Sequence, residues 1–78
     1  MELNIKLESI EKVKQFVRKA ESLPYNIDII SGRYIVDAKS ILGIFSLNLS
    51  NTLKMTVHAD EDDCEEFGLW LKENGYIA

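Results

Sequence analysis

The hydrophobic period changes once in the N-terminal third of the chain. Leu3, Ile5 and Leu7 alternate with polar residues, which is typical of a strand with one buried face. From Ser9 onward, apolar residues recur every three or four positions and predict an amphipathic helix. Its apolar stripe is predicted to contain Ile10, Val13, Phe16, Val17, Ala20 and Leu23. Pro24 ends this helix, because proline cannot continue it.

Strand-like alternation returns in two later segments. Residues 25–38 read "YNIDIISGRYIVDA", and Ser31-Gly32 lies between two runs rich in β-branched and aromatic residues, so the pattern predicts a β-hairpin. Residues 53–59 alternate again and predict a fourth strand. Between them, the segment from Ser40 to about Leu47 is predicted to form a short second helix.

The chain closes with a predicted third helix that begins in an acidic run. Asp60 to Asp63 are expected to supply an N-cap and negative charge near the positive end of the helix dipole. Asn74-Gly75 ends the helix, and Tyr76 is expected to fold back on Leu71 as the hydrophobic contact of a glycine C-cap. Gly68 is expected to mark a close approach of the helix to the sheet.

These elements follow the order strand, helix, strand, strand, helix, strand, helix. The order predicts an α+β open-faced β-sandwich, a four-stranded antiparallel sheet with three helices on one face (βαββαβα), built as one domain over residues 1–78. A chain of this length buries only about 60% of its unfolded surface. We therefore expect neither a second core nor a deep, enclosed active site.

Charge and composition exclude several classes of partner. The formal net charge of −4 disfavours binding to nucleic acid or to an anionic membrane surface. The N-terminus, "MELNIKLES", lacks the features of a secretion signal, and no apolar run, counting glycine, exceeds the five residues of Ile41 to Phe45. A single cysteine, Cys64, is expected to be a buried structural thiol. A cytoplasmic protein is expected.

The second helix carries more apolar surface than the sheet can cover. Its apolar side chains span about 220° of the helical wheel, roughly twice the stripe that a surface helix buries. If Ile44 and Leu47 face the sheet, Ile41 and Phe45 face outward beside the start of the helix. We therefore predict a partner-binding surface that consists of Lys39, Ile41, Leu42 and Phe45.

Ser40 has two compatible interpretations. Its position predicts an N-cap whose hydroxyl accepts a hydrogen bond from a backbone N–H two or three residues on. The same position accommodates a phosphate, because free N–H groups and Lys39 lie beside it. Ser40 is therefore a helix cap and also the phosphorylation candidate.

The segment "AKSILGIFSLNL", with "FVRKA" at 16–20 and the hairpin between them, resembles HPr, the histidine-containing phosphocarrier of the bacterial sugar phosphotransferase system. The resemblance implies a carrier, not an enzyme, that takes phosphate from phosphoenolpyruvate through a first enzyme onto a histidine at the start of helix one, without a cofactor. In Gram-positive members, an HPr kinase/phosphorylase modifies the serine that matches Ser40. The product is a corepressor for a catabolite-control regulator, so both proteins are implied partners.

The start of the first helix departs from the family pattern. Counted back without gaps from "FVRKA", the family's histidine falls on Ser9 and its phosphate-binding arginine on Glu11. Serine lacks the nucleophilicity of imidazole unless a base activates it, and Glu8 and Glu11 repel phosphate. We therefore expect no catalytic or relay residue here, and we interpret Ser9 as a helix cap only. The catabolite-repression HPr also lacks the histidine, although it keeps the arginine.

Three functions stay open from the sequence. The first is a regulatory HPr-like protein that binds partners through helix two and is phosphorylated at Ser40. The second is a working carrier that uses Ser9 or His58, and the third is an interaction module without phosphorylation. His58 is expected beside Asp60, Asp62 and Asp63 as solvated surface, and no metal site is expected. The oligomeric state is not predicted.

Overall fold

The computed structural model describes all 78 residues as one open-faced sandwich. The elements are β1 (Glu2–Ile5), α1 (Ile10–Glu21), β2 (Ile27–Ser31), β3 (Tyr34–Asp37), α2 (Ile41–Phe45), β4 (Leu53–Val57) and α3 (Glu61–Glu73). The strands form one antiparallel sheet in the order β1-β4-β2-β3. The predicted fold class and element order are confirmed. No helix has the length and apolar composition that crossing a membrane requires.

The core lies between the sheet and the helices, as the alternation predicted. Seventeen buried hydrophobic residues form one cluster, and no polar side chain is buried. In the strands, Ile29 and Met55 face this cluster, while their neighbours Asp28 and Thr56 lie on the open face of the sheet. Ile10 is 60% exposed, so the buried stripe of α1 begins at Val13 and not at the predicted Ile10.

The hairpin turn lies one residue later than predicted. Ser31 pairs with Tyr34, so Gly32 and Arg33 form the two-residue loop and the predicted Ser31-Gly32 turn is wrong. Gly32 has φ +58°, whereas Arg33 is not among the residues with positive φ. Glycine at the first loop position is what a type II′ hairpin turn requires, because that position has positive φ.

The end of α3 is a glycine C-cap, as predicted. Gly75 has φ +78°, its N–H donates to the Lys72 carbonyl at 3.3 Å, and the Tyr76 N–H donates to the Leu71 carbonyl at 2.9 Å. These two bonds form a Schellman motif, which satisfies carbonyls that the helix itself leaves free.

Beyond this cap, the chain runs along the outer edge of β1, which the sequence patterns did not predict. The Lys6 N–H donates to the Tyr76 carbonyl at 2.8 Å, and the Ala78 N–H donates to the Asn4 carbonyl at 3.0 Å. Ile77 forms an antiparallel bridge with Ile5. The edge of the sheet at β1 is therefore covered by the last residues of the chain.

The start of α3 differs in detail from the prediction. Asp60 has the extended backbone of an N-cap residue, but its carboxylate accepts no capping hydrogen bond. Its carbonyl instead accepts from the Cys64 Sγ at 3.1 Å. The first turn contains Glu61, Asp62 and Asp63, whose charges favour the helix dipole. Cys64 is fully buried and unpaired, as expected of a structural thiol.

Two helical glycines have opposite surroundings. A Cβ built on Gly68 would have no neighbour within 4 Å, so the predicted close approach at Gly68 is wrong. A Cβ built on Gly43 would lie 3.2 Å from both Ser40 Oγ and Val36 Cβ. The close approach therefore occurs in α2, which packs against β3.

Alanine substitutions at these glycines are expected to change stability in opposite directions. Gly68→Ala should raise the free energy of unfolding by about 0.5–1 kcal/mol, because alanine favours the helix and meets no neighbour. Gly43→Ala should lower it by about 1 kcal/mol or more, because the added methyl overpacks against Val36. Urea denaturation measures both. Equal destabilisation by the two variants would contradict the stated difference in packing.

Candidate functional site

Ser9 lies directly before α1 and acts as its N-cap. Its backbone is extended, with φ −138° and ψ 160°, and its Oγ accepts a hydrogen bond from the Lys12 N–H at 3.1 Å. The side chain is exposed. The predicted capping role is confirmed, and the hydroxyl satisfies one of the N–H groups that the first helical turn leaves free.

The turn before Ser9 is strained. Glu8 has φ +61°, the left-handed region that residues with a Cβ rarely adopt, and the Ser9 N–H donates to the Leu7 carbonyl at 2.6 Å. The Glu8 N–H also donates to the Leu49 carbonyl at 3.3 Å. Fully buried Leu7 anchors the segment, so Glu8 is held at the start of α1.

The electrostatics at the start of α1 oppose a bound phosphate. Glu8 and Glu11 are both exposed within one helical turn of Ser9. Lys12 Nζ lies 3.5 Å from Glu8 Oε1, but it also donates to the Gly75 carbonyl at 2.8 Å and lies 5.1 Å from the centre of the Tyr76 ring. The ammonium therefore joins α1 to the end of α3, and the two carboxylates near Ser9 repel anions.

Ser40 caps α2 in the same manner as Ser9 caps α1. Its exposed side chain accepts a hydrogen bond from the Gly43 N–H at 3.2 Å. The neighbouring Lys39 is half-buried, and its Nζ donates to the Leu23 carbonyl at 3.0 Å. The predicted cap is confirmed, whereas the Lys39 ammonium is bound to the loop that follows α1.

An apolar surface covers the outside of α2. It consists of Ile41, Leu42 and Phe45, which are 36%, 82% and 38% exposed, and we call it the α2 apolar surface. Ile44 is fully buried and Leu47 half-buried, as the wheel predicted. These three residues therefore remain available to a partner, with Leu42 the most exposed.

The α2 apolar surface adjoins a basic groove. The groove, about 450 Å³ in volume, is lined by Lys14, Val17, Arg18, Glu21, Lys39 and Ile41. Ile10 lies one helical turn before Lys14 on the same face of α1, so its exposed side chain extends the apolar area toward Ser9. Sequence reasoning assigned Ile10 to the core, because its spacing matches the buried stripe.

His58 lies at the other end of α1 from Ser9. It directly follows β4, its Nε2 is 2.8 Å from Asp28 Oδ2, and its N–H donates to the Asn26 carbonyl at 2.9 Å. Its bonded carboxylate is thus Asp28, and its side chain is exposed, as predicted. Because α1 has 12 residues, its ends lie about 18 Å apart. No group of three or more potential metal-ligating side chains is present.

A cleft of about 760 Å³ lies beside His58. It is lined by Lys19, Ser22, Leu23, Pro24, Tyr25, His58, Ala59, Asp60, Asp63, Glu66 and Phe67. Burial raises the pKa of Tyr25, and the charges of Cys64, Glu66 and Asp63 raise it further. Tyr25 therefore stays neutral at physiological pH.

The chain is similar to phosphocarrier proteins in sequence and structure. The model of the family described as "PTS HPr component phosphorylation site" matches residues 11–72, a span that begins two residues after Ser9. HPr-C-His from Thermoanaerobacter tengcongensis is 25% identical, with a TM-score of 0.76, and the match covers 96% of this chain and 93% of that one.

Two further structures share the fold. The phosphocarrier HPr of Bacillus anthracis is 22% identical with a TM-score of 0.67, and the match covers 88% of this chain and 87% of that one. The histidine-containing phosphocarrier of a mycoplasma is 13% identical with a TM-score of 0.68, covering 99% of this chain and 96% of that one. Comparison with curated proteins found no significant match.

Proposed function

Since the chain belongs to the HPr family of the phosphotransferase system, a family of non-enzymatic proteins typified by phosphocarriers, we propose that it is a regulatory member that binds partners without relaying phosphate. The observation that carries this proposal is the start of α1. There, Ser9 is a helix cap, and Glu8 and Glu11 flank it.

Phosphoryl transfer at Ser9 lacks a nucleophile of sufficient strength. The Ser9 Oγ accepts from the Lys12 N–H, and its contacts include no base that would remove its proton. The single imidazole of the chain, His58, lies about 18 Å away, beyond the other end of α1. Neither residue is therefore positioned as the phosphate carrier at this end of the molecule.

Partner binding is proposed for the α2 apolar surface. Leu42 is 82% exposed although it is a large aliphatic residue, and Ile41 and Phe45 flank it. Burial of such side chains favours association by about 25 cal/mol per Å² of apolar area. The proposed partners are an HPr kinase/phosphorylase and a catabolite-control regulator.

Ser40 is the proposed modification site on this surface. Its hydroxyl is exposed and accepts one hydrogen bond, from the Gly43 N–H. After phosphorylation, a phosphate oxygen can accept this hydrogen bond instead of the hydroxyl. Lys14 and Arg18 in the adjoining groove give this side of the molecule a positive potential. A phosphate on Ser40 would thus add a recognisable charge without unfolding α2.

Incubation with a Gram-positive HPr kinase/phosphorylase and ATP, followed by peptide mass spectrometry, tests this proposal. One phosphate is expected, on Ser40. Ser40→Asn is the matched control, because asparagine keeps the helix cap but has no hydroxyl. Ser9→Ala should be phosphorylated like the native chain. Absence of phosphate, with unchanged partner binding by Ser40→Asn, would instead support an interaction module without phosphorylation.

A further inference from the structure

The two edges of the sheet differ in whether another backbone segment pairs with them. At β1, backbone hydrogen bonds from Lys6 to Tyr76 and from Ala78 to Asn4 cover the edge. At β3, the other outer strand, no strand or terminal segment pairs with the outer side. The sheet therefore presents one uncovered edge, and an uncovered edge is a template for pairing with another strand.

The register of the hairpin shows which backbone groups point outward. The Ala38 N–H donates to the Ile27 carbonyl at 2.9 Å, and Ser31 pairs with Tyr34 across the turn. Because N–H and C=O groups alternate in direction along a strand, Ile35 and Asp37 direct theirs away from β2. The Asp37 carbonyl is taken by the Ser40 N–H at 2.9 Å. Both polar groups of Ile35 and the Asp37 N–H remain free.

The side chains of β3 favour strand pairing. Tyr34 and Ile35 are 72% and 66% exposed, and Val36 is half-buried. Aromatic and β-branched residues have the highest strand propensity. Of the devices by which sheet edges avoid association, β3 has its short length and the charge of Asp37, but it contains no lysine, proline or bulge.

We propose that this edge is a self-association surface, on which β3 of a second copy pairs antiparallel with Ile35 opposite Ile35. This arrangement has two-fold symmetry, as most homodimers do. The two copies of Ile35 then exchange both of their outward hydrogen bonds, which matches the direction of these groups. Tyr34 lies opposite Val36 of the second copy, and Arg33 lies opposite Asp37.

Charge complementarity favours this register over the registers that are shifted by two residues. Arg33 makes no ion pair within the chain. The Asp37 carboxylate accepts a hydrogen bond from the Lys39 N–H at 2.8 Å but has no cationic partner, and Asp37 lies directly opposite Asp28 of β2. In the proposed register, a guanidinium from the second copy faces each Asp37. A shift by two residues would place Ile35 opposite Asp37 or Arg33 and would lose both ion pairs.

The association is expected to be weak. Stable interfaces bury about 1,200–2,000 Å² in total, whereas β3 has only four residues. The chains therefore exchange between monomer and dimer as the concentration changes.

Cysteine cross-linking tests the register. In an antiparallel hydrogen-bonded pair, the Cα atoms lie about 5.5 Å apart, within reach of a disulfide. The two copies of Tyr34 would lie about 8 Å apart, since they are offset by two residues. Under mild oxidation, Ile35→Cys should form disulfide dimers about tenfold faster than the equally exposed Tyr34→Cys. Equal rates, or no dimer with Ile35→Cys, would overturn the proposal. The native chain is the blank, because Cys64 is fully buried.

The native protein supplies an independent readout. As the protein concentration is raised, the backbone amide NMR signals of Ile35 and Asp37 should shift. The amide signal of Val36, whose N–H points to β2, should shift least. Arg33→Asp should weaken association about tenfold, while Arg33→Lys should retain most of it. Shifts confined to Leu42 and its neighbours would overturn the proposal and would assign self-association to the α2 apolar surface instead.

Discussion

Tyr76→Ala is expected to lower the free energy of unfolding by about 3–5 kcal/mol. The ring is fully buried, and its centroid lies 5.8 Å from that of Phe16 and 5.2 Å from that of Trp70. The hydroxyl donates to the Lys12 carbonyl at 2.9 Å and lies 3.1 Å from Gln15 Oε1. Since small domains are stable by about 5–15 kcal/mol, the loss removes much of the total.

Two control variants separate the contributions at this position. Tyr76→Phe keeps the ring and removes the hydroxyl, so it should cost about 1–2 kcal/mol. Tyr34→Ala in dilute solution should change stability by less than about 0.5 kcal/mol, because Tyr34 is 72% exposed. Chemical denaturation of all three variants measures these differences. A Tyr76→Ala protein as stable as Tyr34→Ala would contradict the described packing.

The buried hydroxyl of Tyr76 is also expected to make the free energy of unfolding fall at alkaline pH. Burial raises the pKa of Tyr76 above its ordinary value of 10.0. The folded state therefore favours the neutral phenol. The resulting stabilisation is fully present below pH 10 and is lost as the pH rises through the folded-state pKa. Tyr76→Phe should therefore lose less stability than the native protein as the pH rises. Part of the loss that remains in this variant should come from Tyr25, whose pKa is also raised.

Restoring two side chains at the start of α1 is expected to create a phosphate acceptor. In the double variant Ser9→His and Glu11→Arg, a neutral imidazole replaces the capping hydroxyl, and a cation replaces the carboxylate two residues further along the chain. Removing repulsion of about 1.4–2.8 kcal/mol corresponds to roughly ten- to hundredfold in phosphorylation. The double variant should accept phosphate from phosphoenolpyruvate through the first enzyme at least tenfold better than Ser9→His alone.

Matched variants test the reason for this gain. Ser9→His with Glu11→Gln removes the charge without adding a guanidinium, so its phosphorylation should fall between the other two. Acid-labile phosphate, measured by mass spectrometry before and after acid treatment, reports phosphohistidine. If Ser9→His alone matched the double variant, the proposed repulsion by Glu11 would be wrong.

Periodicity predicted the elements because the solvent-facing and core-facing positions of this small domain differ sharply in polarity. Both serine caps were predicted, since a cap depends only on local backbone geometry. Ile10 was misassigned because helical spacing shows that a residue lies on one face, but not where the sheet stops covering that face. Gly68 was misread for a similar reason, since glycine in a sequence does not reveal its neighbours.

Features that join distant parts of the chain were not predictable from local patterns. The bond between His58 and Asp28 spans the β2–β4 pairing, and a sequence pattern does not show which strands are adjacent. The pairing of residues 76–78 with β1 depends on the position and direction of the chain after Gly75, which the packing of α3 determines. Asp60 and Asp63, the predicted neighbours of His58, line one cleft with it, but the carboxylate that its imidazole contacts is that of Asp28.

The most direct measurement is the mass of the native chain after incubation with phosphoenolpyruvate and the first enzyme, with the Bacillus anthracis phosphocarrier as the positive control. We predict that the control gains a phosphoryl group and that this chain gains none, because Ser9 is a helix cap between Glu8 and Glu11. A transferable, acid-labile phosphate on His58, or any phosphate on Ser9, would contradict the proposed loss of relay.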